Sequence, residues 1–71
     1  MSITIIMSRG GRELSRNASC MTMQQVMEYL RGWIAPGTIK GDLVATIIKP
    51  HEEPQRFGVR INGRNFTLVK Q

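Results

Sequence analysis

The chain has 71 residues and a formal net charge of +5, from seven arginines, three lysines and five acidic residues. A chain this short builds a single domain, residues 1–71, with a small core, so a second domain or a deep catalytic cleft is not expected. The single cysteine excludes an internal disulfide, and the N-terminal apolar run is too short for a signal peptide or a membrane span. We therefore predict a cytoplasmic protein.

The first predicted elements are two strands that meet at Gly10-Gly11. Residues 3–7 are β-prone, and the glycine pair is a turn signal. The second arm, residues 12–19, is weaker strand material because it contains several polar and charged residues. A turn centred on the glycine pair predicts these cross-strand pairs: Met7 with Leu14, Ile5 with Arg16, and Ile3 with Ala18.

A helix is predicted over residues 22–34. Its apolar side chains recur at helical spacing along one stripe, which consists of Met23, Val26, Met27, Leu30, Trp33 and Ile34. Thr22 and Gln25 have the spacing of a capping box at the start of the helix. At the other end, Gly32 is expected to close the helix in a left-handed conformation, and Pro36 prevents the helix from continuing.

Three further strands complete the predicted fold. Residues 42–49 are apolar on both faces, as in a central strand, and residues 50–55 form an exposed loop. Asn62-Gly63 between two β-prone runs predicts a hairpin with a type I′ turn. The resulting order, ββαβββ, predicts an α+β domain in which one helix covers one face of a largely antiparallel sheet.

The C-terminal hairpin sorts its side chains onto two faces. A two-residue loop at Asn62-Gly63 places Val59 opposite Phe66, and paired residues share a face. The apolar face comprises Phe57, Val59, Ile61, Phe66 and Leu68, with Arg64 at the turn. The polar face comprises Arg56, Gly58, Arg60, Asn65 and Thr67, with Val69 near its end. A slip by one residue would exchange the faces, so the apolar pattern fixes them.

The sequence contains no convincing catalytic or metal-binding pattern. His51 is the only histidine, and the adjacent Glu52 and Glu53 do not converge with it on one ion as residues of one helical turn would. Cys20 has no second cysteine or nearby histidine to complete a nucleophile–base pair, and a small buried side chain is favoured there. We predict no enzymatic activity, no metal and no cofactor.

The basic residues indicate a binding function instead. An excess of arginine over lysine favours bidentate recognition of phosphate or carboxylate groups. The basic residues form two groups, one around the Gly-Gly turn and one on the C-terminal hairpin: Arg9, Arg12 and Arg16, and then Arg56, Arg60, Arg64 and Lys70. Together with Asn65 and Thr67, they form the predicted binding surface.

Two classes of partner fit this surface. The charge favours nucleic acid, contacted at its phosphates without base stacking, because Phe57 and Phe66 belong to the apolar face. The alternative is a small adaptor or inhibitor, of a regulatory or mobile-element type, that docks on an acidic protein or adds to a sheet edge. Homodimerisation through such an edge would also suit so small a core. No membrane partner is expected.

Overall fold

Five strands and one helix follow one another in the predicted order ββαβββ. The computed structural model describes residues 2–34, 43–62 and 65–71. The elements are β1 (Ile3–Arg9), β2 (Arg12–Cys20), α1 (Met23–Ile34), β3 (Leu43–Ile48), β4 (Gln55–Asn62) and β5 (Asn65–Lys70). Within the described residues, no helix has the length and apolarity needed to cross a membrane.

The strands form one open antiparallel sheet in the order β2-β1-β3-β4-β5. The helix α1 contacts β1, β2 and β5, all from one side of the sheet. We call this side the helix-side face and the opposite side the helix-free face. The predicted α+β architecture is confirmed.

The core lies between α1 and the centre of the sheet. Ile5, Met7 and Ala45 are fully buried there, and Val26 and Leu30 of α1 pack against them. Burial of each large aliphatic side chain contributes about 1.5–3 kcal/mol. The predicted apolar stripe therefore faces the core through its central residues.

One residue of that stripe is placed differently from the prediction. Met27 and Trp33 pack against the core while partly buried, but Met23 is 38% exposed. A helical side chain leans toward the N-terminus of its helix, so a residue in the first turn points beyond the helix rather than onto the core. Met23 belongs to the predicted stripe but is therefore not part of the core.

The capping box at the start of α1 is confirmed in a slightly extended form. Thr22 Oγ1 accepts a hydrogen bond from the Gln25 N–H at 3.2 Å, and Gln25 Oε1 accepts one from the Met21 N–H at 2.5 Å. The glutamine therefore reaches one residue farther back than the usual pattern. The Gln25 N–H, one of the groups that a helix start leaves without a helical partner, is satisfied in this way, and the Met21 N–H just before the helix is satisfied as well.

Thr22→Ala is expected to lower the free energy of unfolding by about 0.5–2 kcal/mol, because the Gln25 N–H loses its acceptor. Denaturation with urea would measure the change. Thr22→Ser keeps the hydroxyl and serves as the control. An equal loss in Thr22→Ser would show that the hydroxyl is not the stabilising group.

The helix α1 ends at Ile34, as predicted, but the prediction that Gly32 closes it is wrong. Gly32 lies inside the helix without a positive φ, and the helix continues to Ile34. The last turn is held by Trp33, which is partly buried and whose Nε1 donates to Tyr29 Oη at 3.2 Å. Pro36 lies outside the described residues.

The first hairpin turns at the predicted glycines but in a different register. Gly10 and Gly11 have φ of 60° and 79°, as a type I′ turn requires. Two register shifts then place Met7 opposite Ser15, Ile5 opposite Asn17 and Ile3 opposite Cys20. Such shifts accommodate extra residues in one strand of a pair, which the simple two-residue periodicity does not foresee. As a result Leu14 is 39% exposed and Cys20 is in the core at 5% exposure.

The C-terminal hairpin also differs from the prediction in register. Asn62 pairs with Asn65, and Val59 pairs with Leu68 rather than Phe66. The residues between the strands are therefore 63 and 64, which lie outside the described residues. The predicted position of Arg64 at the turn is for that reason not described either. The shift is two residues, and because side chains alternate with a period of two, every described side chain keeps its predicted face.

Candidate binding surface

The helix-free face joins residues from both predicted arginine groups. Ile6 of β1 pairs with Arg16 on one side and Thr46 on the other, and Thr46 pairs with Arg56. Because paired residues share a face, this row crosses the sheet from β2 to β4 on one side. The pairings place these residues on the helix-free face: Thr4, Ile6, Ser8, Glu13, Arg16, Val44, Thr46, Ile48, Arg56, Gly58, Arg60, Asn62, Asn65, Thr67 and Val69.

The remaining predicted basic residues lie elsewhere. Arg9 and Arg12 pair with each other and continue the helix-side series of β1, and Lys70 pairs with the helix-side residue Phe57. Arg64 is not described. The helix-free face therefore brings together Arg16, Arg56, Arg60, Asn65 and Thr67, and it does not include Arg9, Arg12 or Lys70.

The positive charge of the helix-free face comes mainly from Arg56 and Arg60. Arg16 donates to Glu13 Oε1 at 2.9 Å, and this hydrogen bond, together with the carboxylate charge, raises the pKa of Arg16 above its ordinary value. The Glu13 charge thus balances that of Arg16. Arg56 and Arg60 are exposed, and neither side chain forms a hydrogen bond or ion pair with another described residue.

The centre of the helix-free face contains three aliphatic side chains, which we call the aliphatic centre, and each of them pairs with a serine or threonine of the neighbouring strand. Ile6, Val44 and Ile48 are half-buried, and Val69 is 39% exposed. No described helix or strand packs over them. An antiparallel sheet with one solvated face usually places polar residues outward. In β1 and β3 only half of the outward residues are polar, namely Thr4, Ser8 and Thr46. Sequence reasoning missed this feature, because it interpreted the apolar residues of β3 only as those of a central strand.

Gly58 does not leave a bare spot on this surface. A Cβ at Gly58 would lie 3.4 Å from Gln71 Nε2 and 3.8 Å from the Val69 carbonyl oxygen. The Gln71 side chain therefore occupies part of the space in front of Gly58. A shallow depression remains beside it, bounded by Val44, Arg60 and Val69.

The residues considered for chemistry lie apart from this surface. His51 is exposed in the loop between β3 and β4, as predicted, with φ of 63°. Cys20 is buried, and its Sγ lies 3.8 Å from Asn17 Oδ1. In the described parts of the chain, no three His, Cys, Asp or Glu side chains are grouped closely enough to hold a metal ion.

His51→Ala is expected to leave metal content, partner binding and folding unchanged, because His51 is an exposed loop residue without a described side-chain partner. Histidine is found at positive φ several-fold more often than most non-glycine residues, so alanine should lower the free energy of unfolding by no more than about 1 kcal/mol. Elemental analysis and thermal denaturation of both proteins would test this. A stoichiometric metal that is present in the wild type and lost in His51→Ala would contradict it.

Comparison of the chain with protein-family models, curated proteins and solved structures found no match. Its function is therefore inferred from its own residues.

Proposed function

We propose that the protein is a non-enzymatic cytoplasmic binding protein that docks on an acidic protein through its helix-free face. The observation that supports this proposal is the composition of that face. The aliphatic centre consists of the half-buried Ile6, Val44 and Ile48, interspersed with serine and threonine. It lies beside the exposed Arg56 and Arg60.

The aliphatic centre favours a protein partner. Apolar surface gains free energy when it leaves water, and a protein offers apolar side chains that can cover Ile6 and Val44. A phosphate backbone offers little such surface. Protein interfaces commonly combine an apolar centre with a polar rim, and arginine is enriched in them.

The charge favours an acidic partner. Arg56 and Arg60 have no acidic partner among the described residues, and the whole chain carries a net charge of +5. Each guanidinium can form two parallel hydrogen bonds with one carboxylate, which makes such pairs strong and directional. Thr67 lies opposite Arg60 on β5 and supplies a neutral hydrogen-bonding group beside that charge.

Nucleic acid is the second candidate, because the row through Ile6 and Thr46 places Arg16 and Arg56 on one surface. Binding would use phosphates alone, since Phe57 and Phe66 pack against the core and provide no stacking platform. With Arg16 balanced by Glu13, only Arg56 and Arg60 remain as unbalanced described charges on the face. Few phosphate contacts give weak binding at physiological salt, so we favour the protein partner.

An affinity pull-down from cell lysate, with the full chain as bait and with or without nuclease, separates the two candidates. Docking on a protein predicts that the same protein is captured in both conditions. Phosphate binding predicts recovery of nucleic acid, or of protein only while nucleic acid is intact. The second result would replace the proposed function with its alternative.

A further inference from the structure

The two edges of the sheet differ in how well they resist pairing with another strand. The edge strand β2 has two register shifts and carries Arg12, Glu13 and Arg16. Bulges and charges of this kind discourage edge-to-edge association. The other edge strand, β5, pairs with β4 without a register shift, has no proline, and has Lys70 as its one charged residue. The β5 edge is therefore less protected than β2, with no register shift and one charged residue against three.

The backbone groups at the β5 edge can be assigned from one hydrogen bond. The Gln71 N–H donates to the Arg56 carbonyl at 3.1 Å, which makes these residues a hydrogen-bonded pair. Such pairs alternate along an antiparallel ladder, so Thr67 and Val69 also direct their N–H and C=O groups toward β4. The intervening residues direct theirs outward: Phe66, Leu68 and Lys70. No described residue pairs with this outer edge.

Apolar side chains surround the same edge. Phe66 and Leu68 are only half-buried, although they face the helix side, and Val69 is 39% exposed on the opposite face. Ile61, which pairs with Phe66, is 40% exposed. The helix α1 thus covers the centre of the sheet fully but covers β5 only in part.

We propose that two copies of the chain pair through β5, antiparallel and centred on Leu68. In this register the outward N–H and C=O groups of the two copies form hydrogen-bonded pairs. Leu68 pairs with Leu68 of the second copy, Phe66 pairs with Lys70 of the second copy, and Lys70 pairs with Phe66 of the second copy. Every outward N–H then finds an acceptor. The arrangement has a two-fold axis, so it closes at two copies.

The side chains suit this register. Leu68 meets its own equivalent, which extends the half-buried apolar surface across the junction. Lys70 lies opposite the Phe66 ring of the second copy rather than opposite another lysine, so like charges do not face each other. On the other face, Thr67 lies opposite Val69 of the second copy.

Both helices lie on one side of the resulting sheet, because residues paired across the junction share a face. The helix-free faces of the two copies then form one continuous surface. The pairing uses no residue of the arginine pair Arg56 and Arg60, so it stands or falls separately from the proposed function.

Amide hydrogen exchange in the wild-type chain tests the pairing without a substitution. The Thr67 and Val69 amides are bonded to β4 and should be protected at every protein concentration. The Phe66, Leu68 and Lys70 amides should exchange rapidly in dilute solution and become at least about tenfold slower as concentration rises and the dimer forms. Rapid exchange of these three amides at all concentrations would overturn the proposal.

Lys70→Pro removes one outward N–H without removing a bond to β4, because proline is tolerated at a sheet edge where its nitrogen faces outward. Lys70→Ala removes the same charge and keeps the N–H. Sedimentation equilibrium should show dimers for the wild type and Lys70→Ala, and a dimer dissociation constant at least about tenfold higher for Lys70→Pro. A monomeric wild type, larger oligomers, or equal dimerisation of the two variants would each overturn the proposal.

Discussion

Leu30→Ala is expected to lower the free energy of unfolding by about 2–5 kcal/mol. Leu30 is fully buried at the centre of α1 and packs against the sheet core formed by β1 and β3. Alanine would remove most of the side chain and leave a cavity that the surrounding strands cannot fill. Domains of this size have a total stability of only about 5 kcal/mol or somewhat more, so a substantial unfolded population is expected.

Urea denaturation followed by circular dichroism would measure this loss. The adjacent Arg31 is exposed on the same helix, and Arg31→Ala should change the free energy of unfolding by no more than about 0.5 kcal/mol. A loss below about 1 kcal/mol in Leu30→Ala would show that α1 does not cover the core as described.

Arg56→Ala combined with Arg60→Ala is expected to weaken partner binding at least about tenfold, which corresponds to about 1.4 kcal/mol. Both side chains are exposed and lack a described partner, so the double variant should fold like the wild type. Binding should fall because arginines at an interface often carry a large share of the binding free energy. Titration calorimetry would measure the change, with the partner protein that the pull-down captures even after nuclease treatment.

A second double variant separates a specific site from a general charge effect. Arg12→Ala with Arg31→Ala also removes two positive charges, but from residues outside the helix-free face. It should bind nearly as well as the wild type. If the two double variants lose equal affinity, net charge rather than the helix-free face determines binding, and the assignment of the site is wrong.

The same variants test the nucleic-acid alternative. Their affinity for two unrelated DNA duplexes is measured at increasing salt concentration and compared with that of the wild type. Under the phosphate-binding alternative, each lost contact should reduce the slope of log affinity against log salt by about 0.9, for both duplexes alike. Under the proposed function, the wild type has little affinity for either duplex at physiological salt. Tight binding of the wild type to both duplexes would favour the alternative.

Local signals in the sequence were sufficient to predict the order of the elements. The Gly10-Gly11 turn, the capping box at Thr22 and the apolar stripe around Leu30 each have a local physical cause, and each appears in the structure. Strand registers were less predictable, because the two shifts in β2 depend on which of its side chains pack into the core, and this is a tertiary property. Burial of Cys20 and exposure of Leu14 result from those shifts.

The candidate site was predictable only in part, for a topological reason. Alternation along β4 and β5 assigned Arg60 and Thr67 to one face correctly, since even the two-residue error in register preserves the alternation. The aliphatic centre was not foreseen. Ile6 and Val44 resemble residues of a strand buried on both faces, and the incomplete cover becomes visible only when the single described helix is seen to lie on the other side.

A methyl-resolved NMR titration tests the docking surface most directly. The protein is titrated with the partner protein that the pull-down captures even after nuclease treatment. The account predicts that the methyl signals of Ile6, Val44 and Ile48 change on binding, because these side chains lie at the centre of the helix-free face. The methyl signals of Met21 and Met23, which are exposed around the start of α1, should stay unchanged. Changes at Met21 and Met23, with Ile6, Val44 and Ile48 unaffected, would contradict the assignment of the binding surface.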